Sequence, residues 1–554
     1  MAGIPTSGAD VRTQTGKMPA GVPYIIGNEA AERFSFYGMK AILTTFLAAQ
    51  FFNGNETMAN EQTHAFIAMT YLLPLIGGML ADWFLGKYNT IFWLSLVYVA
   101  GHACLSVFEN SLGGFLAGLM LISIGSGGIK PCVSANVGDQ FDQTNSHLMT
   151  NVFNAFYFSI NFGSFFSTLL IPWTLKWYGP SVAFGIPGIL MAIAAFVFWL
   201  GNDKYVRVPP KGDSNKVVIF ICTVAALAIS YFVCDVNKGF GIALLTGQGP
   251  LLVLTLLLVI AFALIFKKQW FARPGNFIGI NLYALANGGF AAAEKEYGEK
   301  TISGIKSVWN VLAVFAFIPI FWALYDQNGS EWVQQAKYMN RNFMGILWQP
   351  EQIQAINPVL IMVFIPIFLF GLFPLVAKMG IKVTPLRKIG VGFFLTALSF
   401  VFIALPQAQI DGFLHTLPAG ISNDERTKLI EAYASSGNAP SILWQLLAYT
   451  IITAAEVLIS TTGLEYAYTQ APKTMKGTIM ACWLLTVTIG NVVVSQVHTL
   501  MKDGGILSGL EGSHGTPGAA FYWLFLGVCL ATGILFVLIS PRIKEHNYVG
   551  NIEE

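Results

Sequence analysis

An all-α protein that crosses a membrane about fourteen times is what the sequence predicts, and three observations carry that prediction. The first is composition: the 554 residues are 55% hydrophobic and only 11% charged, where a soluble domain is roughly a quarter charged. The second is run length. A helix needs about 20 apolar residues to cross the hydrocarbon core, and windows around 91–105, 182–200, 251–266, 359–376 and 521–539, with their flanks, supply them. The third is where the Lys and Arg residues lie. If the N-terminus is inside, inner segments hold about three times as many as outer ones, a bias that sets both termini on the cytoplasmic side and requires an even number of spans.

The elements follow in order. A polar tail, 1–21, lacks the charged start, apolar core and small-residue cleavage site of a signal peptide. Six spans are expected near 23–52, 62–82, 88–108, 112–135, 152–175 and 181–200, forming a first bundle over 22–201. A polar linker, two additional spans near 217–235 and 248–267, and a second charged linker fill 202–307. Six more spans near 308–328, 357–376, 386–405, 441–469, 476–500 and 518–541 make a second bundle over 308–543, and a cytoplasmic tail closes the chain at 544–554. The six cysteines sit in or beside apolar stretches without C-x-x-C spacing, so they are read as packing residues rather than metal or redox ligands. A net charge of +2 gives no argument for nucleic acid.

Two six-helix halves with an inserted pair suggest a major facilitator fold whose site lies at the midplane between the halves. The stretch Gly77-Gly78-Met79-Leu80-Ala81-Asp82-Trp83-Phe84-Leu85-Gly86-Lys87 resembles the signature loop of that superfamily. Asp82 and Lys87 fall at the membrane edge, where gating and helix packing are their expected work.

Charges inside the spans single out the functional residues, because each costs roughly 2.5–3.5 kcal/mol at a span centre. Glu29, Glu32, Arg33 and Lys40 in the first span, with Tyr37, fall at about 0°, 300°, 40°, 20° and 80° on a helical wheel of 100° per residue. One face thus holds two acids, two bases and a phenol, and it has to line water or other charges. Lys130, Asp326 and Glu456 supply partners on other spans. The first-half charges sum to +1 and the second-half pair to −2, which suits a ligand with a carboxylate at one end and an ammonium at the other.

On these residues the chain resembles the proton-dependent oligopeptide transporters. The segment from Glu29 to Gly38 is similar to their E-x-x-E-R-F-x-Y-Y-G signature. Gly127-Gly128-Ile129-Lys130-Pro131, Gly138-Asp139-Gln140-Phe141, Phe321-Trp322 to Gln327, Asn357-Pro358 and Thr462-Gly463-Leu464-Glu465-Tyr466 are further matches. The resemblance runs from about Val22 to Ile543, and the inserted pair of spans is similar to that of the bacterial members.

The resemblance implies a proton-coupled symporter of di- and tripeptides that works by alternating access in a bacterial inner membrane, with no cofactor and no metal. It implies that Glu29, Glu32, Arg33, Lys130, Asp326 and His64 handle the coupling proton. Substrate contacts fall to Arg33, Tyr37, Lys40, Tyr71, Lys130, Tyr157, Asn161, Trp322, Asn357, Glu456, Ser460 and Trp483. Lys40 stands where the family usually has Arg, and Lys lacks the planar two-pronged donor of Arg. His64 has a second reading, a histidine hydrogen-bonded to a neighbour at a helix end; His102 has only a structural one. Glu465 is about half a turn of the wheel from Glu456 and reads as a packing or gating residue.

Other functions fit less well. An intramembrane aspartyl protease needs a glycine where Asn136 stands and the reverse order of its acidic motifs. A carrier of nitrate or another anion needs the basic wall only, leaving Asp326 and Glu456 repulsive. No G-x-x-x-x-G-K-[ST] nucleotide loop is present.

Overall fold

The computed structural model describes residues 17–141, 145, 148–210, 277–418, 421–470, 476–502 and 505–543. The two additional spans expected near 217–235 and 248–267 lie outside the described residues. The helices are α1 (Val22–Gln50), α2 (Glu56–Leu72), α3 (Pro74–Leu80), α4 (Lys87–Val107), α5 (Leu112–Asp139), α6 (Met149–Tyr178), α7 (Pro180–Leu200), α8 (Phe277–Ala286), α9 (Phe290–Tyr297), α10 (Glu299–Phe315), α11 (Ile318–Tyr325), α12 (Glu331–Ala336), α13 (Ile356–Pro366), α14 (Phe373–Lys378), α15 (Pro385–Leu414), α16 (Asn423–Ser435), α17 (Leu443–Glu456), α18 (Thr462–Gln470), α19 (Lys476–Met501) and α20 (Ala519–Ile539). A two-stranded hairpin pairs β1 (Asn342–Phe343) with β2 (Ile346–Leu347).

Eleven helical stretches among the described residues are long and apolar enough to cross a membrane. α1, at 29 residues, is long enough as well, but carries Glu29, Glu32, Arg33 and Lys40 along its length. The charged stretch read as a linker before residue 308 is partly helical, forming α8, α9 and the start of α10. Helix starts follow capping chemistry. Asn55 accepts from the Met58 amide at 2.9 Å to open α2, and Ser111, Thr384 and Ser422 cap α5, α15 and α16. Gly86 and Gly179, at φ 76° and 82°, turn the chain into α4 and α7.

The chain forms two compact units, each assembled from separated segments. Unit 1 holds the described residues up to 210, with 329–362 and 417–442. In it α1 packs along α6 and α7, and α4 along α5 and α7. Small residues permit the close approach, as expected where helices gain nothing from expelling water. A Cβ on Gly163 of α6 would stand 2.5 Å from the Ala30 carbonyl oxygen of α1, and one on Gly77 would stand 2.3 Å from that of Gly127 on α5. Two polar stitches join α1 to α7: Asn28 Nδ2 donates to the Ala194 carbonyl (3.0 Å), and Ser35 Oγ to that of Pro187 (2.6 Å).

Unit 2 holds the described residues in 277–328, 363–416 and 443–543. α15 packs on α17 and α20, and α11 on α19. Two π turns, Ile367–Leu372 and Val457–Thr461, widen its helices.

Candidate substrate and proton sites

The charged face of α1 closes on itself inside unit 1. Arg33 Nε lies 2.8 Å from Glu29 Oε1 and 2.6 Å from Glu32 Oε2, and all three residues are buried. Arg33 bridges the carboxylate one turn before it, as i,i+4 spacing allows, and that of its immediate neighbour Glu32, which its long side chain reaches round the helix. Gly163 lets α6 press against this stretch, which fixes the depth at which Arg33 sits.

Lys130 arrives from α5. Its Nζ stands 4.1 Å from the Phe36 ring centre and 4.2 Å from that of Tyr71, over both aromatic faces. The ammonium is buried without a hydrogen-bond partner among the described residues. Cation–π attraction supplies about 0.5–2 kcal/mol, less than a full charge loses on leaving water. Glu29, Glu32, Arg33, Lys130, Tyr71 and Phe36 therefore form one cluster. Tyr37 packs edge-on against Phe36 at 5.5 Å.

Further along α1, a Cβ on Gly329 would stand 3.2 Å from Lys40 Cε, so Lys40 lies where the segment 329–362 enters unit 1. Asn161 is buried, but its Nδ2 donates to the Tyr157 carbonyl one turn back (2.9 Å), while the Tyr157 ring is exposed. Asn357 is half-buried near the start of α13.

His64 resolves toward a defined partner. It is fully buried on α2, with Nε2 3.1 Å from each carboxylate oxygen of Glu331 and 3.0 Å from Ser330 Oγ. The Ser330 hydroxyl also donates to Glu331. Glu331 is the residue that sequence reasoning missed, because the seventh core span was expected to end at 328. In the structure the helical stretch continues to Ala336 through a 3₁₀ turn at Asp326–Gly329.

In unit 2, Asp326 lies on that 3₁₀ turn and accepts from Asn491 Nδ2 at 2.7 Å. The neighbouring Gly490 explains the meeting: a Cβ there would stand 2.5 Å from the Pro319 carbonyl oxygen, so α19 can approach α11 closely only as glycine. Asn491 was also missed; an amide beside a glycine in an apolar span was the available signal. Trp322 stands edge-on to Trp483 at 6.3 Å, and Gly463 of α18 packs against the Trp483 ring. Glu456 ends α17 where the π turn begins, and Ser460 lies within that turn. Such turns re-aim side chains and recur at functional sites.

At the membrane edge, Lys87 Nζ pairs with Asp139 Oδ2 at 2.6 Å, while Asp82 is exposed on its own π turn. Glu465 faces solvent, 3.8 Å from Lys388 Nζ. His102 is buried and stacks on Tyr98 at 5.2 Å, a packing role.

The model of the POT family matches residues 88–513. The chain belongs to the POT family. Among relatives, solute carrier family 15 member 2 of Rattus norvegicus is 28% identical, with 95% of this chain and 90% of that protein covered. Human solute carrier family 15 member 1 is 33% identical over 74% of this chain and 55% of its own length. Among solved structures, an auto-inhibited POT family peptide transporter is 34% identical with a TM-score of 0.76, covering 96% of this chain and 98% of that one. The POT family transporter PepTSo is 37% identical with a TM-score of 0.75, covering 95% and 99%. A proton dependent oligopeptide (POT) family transporter is 38% identical with a TM-score of 0.68, covering 93% and 100%. The chain therefore shares the fold of an integral membrane transporter.

Proposed function

We propose that this POT-family chain is a symporter that carries di- and tripeptides with protons by alternating access. The observation that carries the site assignment is Lys130: a buried ammonium over two aromatic faces, beside a carboxylate–guanidinium–carboxylate cluster, has donor capacity left for the peptide carboxylate. Arg33 shares that role through its remaining nitrogens. Glu456, at the mouth of a π turn, receives the peptide ammonium, with Ser460 and Asn357 as polar neighbours of the ligand. Tyr37, Tyr71, Tyr157, Trp322 and Trp483 bound the side-chain pockets, and Lys40 and Asn161 complete the polar lining.

Protons enter at carboxylates whose partners change as the transporter rocks: Glu29 and Glu32 against Arg33, Asp326 against Asn491, and His64 with Glu331. Neutralising one member frees its partner and biases the two-state equilibrium. The membrane potential contributes about 2.3 kcal/mol per charge per 100 mV, so proton entry concentrates a neutral zwitterion. No cofactor enters the scheme, and no bond is made or broken. The Lys and Arg bias orients both termini toward the cytoplasm of a plasma membrane. A nitrate-type anion carrier would be repelled by Asp326 and Glu456.

Uptake of labelled dialanine into liposomes holding the purified protein, with and without an inward proton gradient, tests this reading. Accumulation above the outside concentration is expected with the gradient alone, unaffected by excess nitrate. Nitrate uptake without dialanine uptake would overturn it.

A further inference from the structure

A cavity of about 950 Å³ lies within unit 1 at the far end of α1 from the Arg33 cluster. Arg33 and Ala48, which lines the cavity, are separated by about 22 Å at 1.5 Å per residue. Its volume is within the range of small-molecule sites, about 300–1,000 Å³. Its walls come from the α1–α2 turn, the residues after α12, the hairpin, the 3₁₀ turn before α13, and α16.

The floor of this cavity is chemically spent. Tyr338 donates its hydroxyl to Glu56 Oε1 (3.0 Å) and accepts from Arg426 Nη2 (3.2 Å), while Arg426 Nη1 donates to the Gly54 carbonyl (3.2 Å). Lys337 Nζ stands 3.7 Å from Glu56 and donates to Gln334. Burial pushes the Lys337 amine below its ordinary range, against the pull of Glu56 and Glu351.

Lys176, Asp424 and Glu431 also line the cavity but are exposed to water; of the charged groups in the wall that are not exposed, two are not spent. Glu351 is only 6% exposed, yet among the described residues its carboxylate accepts no hydrogen bond and has no ion pair within 4.0 Å. Arg341 has one long side-chain hydrogen bond, from Nη1 to the Trp348 carbonyl at 3.4 Å. Arg341 feels the field of Glu351 and, less strongly, of the exposed Glu431, with neither carboxylate within ion-pair distance. Buried charges are ordinarily paired, because a lone one forfeits its hydration with nothing in return. A carboxylate and a guanidinium facing a common space with neither closed on the other leave room for a molecule carrying both opposite charges.

We propose that this cavity is a second, outer site for a small zwitterionic peptide, its ammonium on Glu351 and its carboxylate on Arg341, occupied before the peptide reaches the central cluster. The word outer, and the peptide class, rest on the orientation and substrate proposed above; the binding site itself rests on the cavity.

Binding of labelled dialanine to the purified full-length protein, by equilibrium dialysis, tests it. The parent should show two classes of sites. Glu456→Gln should weaken the central one alone, and Glu351→Gln should remove the outer one alone. In liposomes Glu351→Gln should raise KM roughly fivefold with kcat unchanged, the mark of lost ground-state binding. Arg341→Gln should make dialanine and dialanine amide equivalent at the outer site, and on the parent N-acetyl-dialanine should fail to displace the label there. That last measurement needs no variant to fold. A single class of sites in the parent, or an outer class indifferent to Glu351→Gln, Arg341→Gln and acetylation, overturns the proposal. Outer-site binding in a protein that shows no proton-driven uptake would keep the site and defeat the transport reading instead.

Discussion

Unit 1 and unit 2 both bury carboxylates in apolar helices, and they accommodate them differently. In unit 1, Glu29 and Glu32 share one guanidinium and Glu331 meets an imidazole, so acids and bases are already interlocked. In unit 2, Asp326 is held by the neutral amide of Asn491, and Glu456 sits at a helix widening. An amide donates to a carboxylate but brings no charge. Unit 1 thus ties its acids to bases of the same unit, whereas in unit 2 Asp326 also takes a neutral amide; on the function proposed above, the charge of Asp326 and Glu456 is what a proton or an incoming ammonium would cancel. The contrast predicts large, general losses from unit 1 variants and selective ones from unit 2.

The largest effect should come from Lys130→Ala. Breaking a buried charge set costs about 3–5 kcal/mol, so proton-driven accumulation of dialanine should fall at least about 100-fold. Accumulation at the parent level would remove the distinction between the units. Next in size is Asp326→Asn. Because Asn491 donates to either side chain, the fold should survive, and counterflow of labelled dialanine should stay within about twofold while accumulation against a gradient is lost. Counterflow lost together with accumulation would place Asp326 in the framework instead.

Glu456→Gln should raise KM for dialanine roughly tenfold, since a charge-assisted hydrogen bond becomes a neutral one. N-acetyl-dialanine, lacking the ammonium, should bind parent and variant alike. A smaller effect is expected at the His64–Glu331 pair. Glu331 lies 3.1 Å from the imidazole Nε2, so Glu331→Gln should change the pH profile of dialanine uptake by removing the charged partner of His64, and Glu331→Asp should restore much of the profile. A pH profile unchanged in Glu331→Gln would return His64 to a packing role.

These variants divide according to how far the sequence reveals their partners. The spans and the charged face of α1 were legible because both depend on spacing along one helix: apolar runs for the first, 100° per residue for the second. Arg33 beside Glu29, one turn before it, follows from that spacing; its contact with the adjacent Glu32, about 100° round the helix, does not. Lys130, Asp326 and Glu456 were conspicuous as charges in apolar runs, but what each meets depends on another helix. The Asp326–Asn491 pair needs the close approach that Gly490 allows. Glu331 was obscured by a boundary: the Asp-Gln-Asn-Gly sequence after Tyr325 reads as the end of a span, whereas the backbone takes a 3₁₀ turn there and resumes as α12. The π turn after Glu456 leaves no compositional mark, because its extra residue is absorbed by geometry rather than by residue type. Asp82 and Lys87 were close in sequence, yet Lys87 found Asp139, which a linear reading has no way to rank above Asp82.

The smallest effect sharpens the comparison inside unit 2 itself. Glu456 and Glu465 are nine residues apart on one helical stretch, and both look like acids in a span. The structure separates them by environment: Glu456 is half-buried at the π turn, while the Glu465 side chain is 64% exposed and stands 3.8 Å from Lys388. An exposed pair at that distance contributes about 0–1 kcal/mol, since water already solvates both charges and salt screens them. Glu465→Gln should therefore leave KM and accumulation of dialanine within about twofold of the parent, with thermal stability unchanged within about 0.5 kcal/mol. The measurement is informative because the two substitutions are chemically identical. If both variants lose uptake equally, burial is not what distinguishes ligand-binding acids here, and Glu465 must act through a closed state in which it meets a partner other than Lys388. If only Glu456→Gln loses affinity, an acid in this unit matters in proportion to how far water has been taken from it.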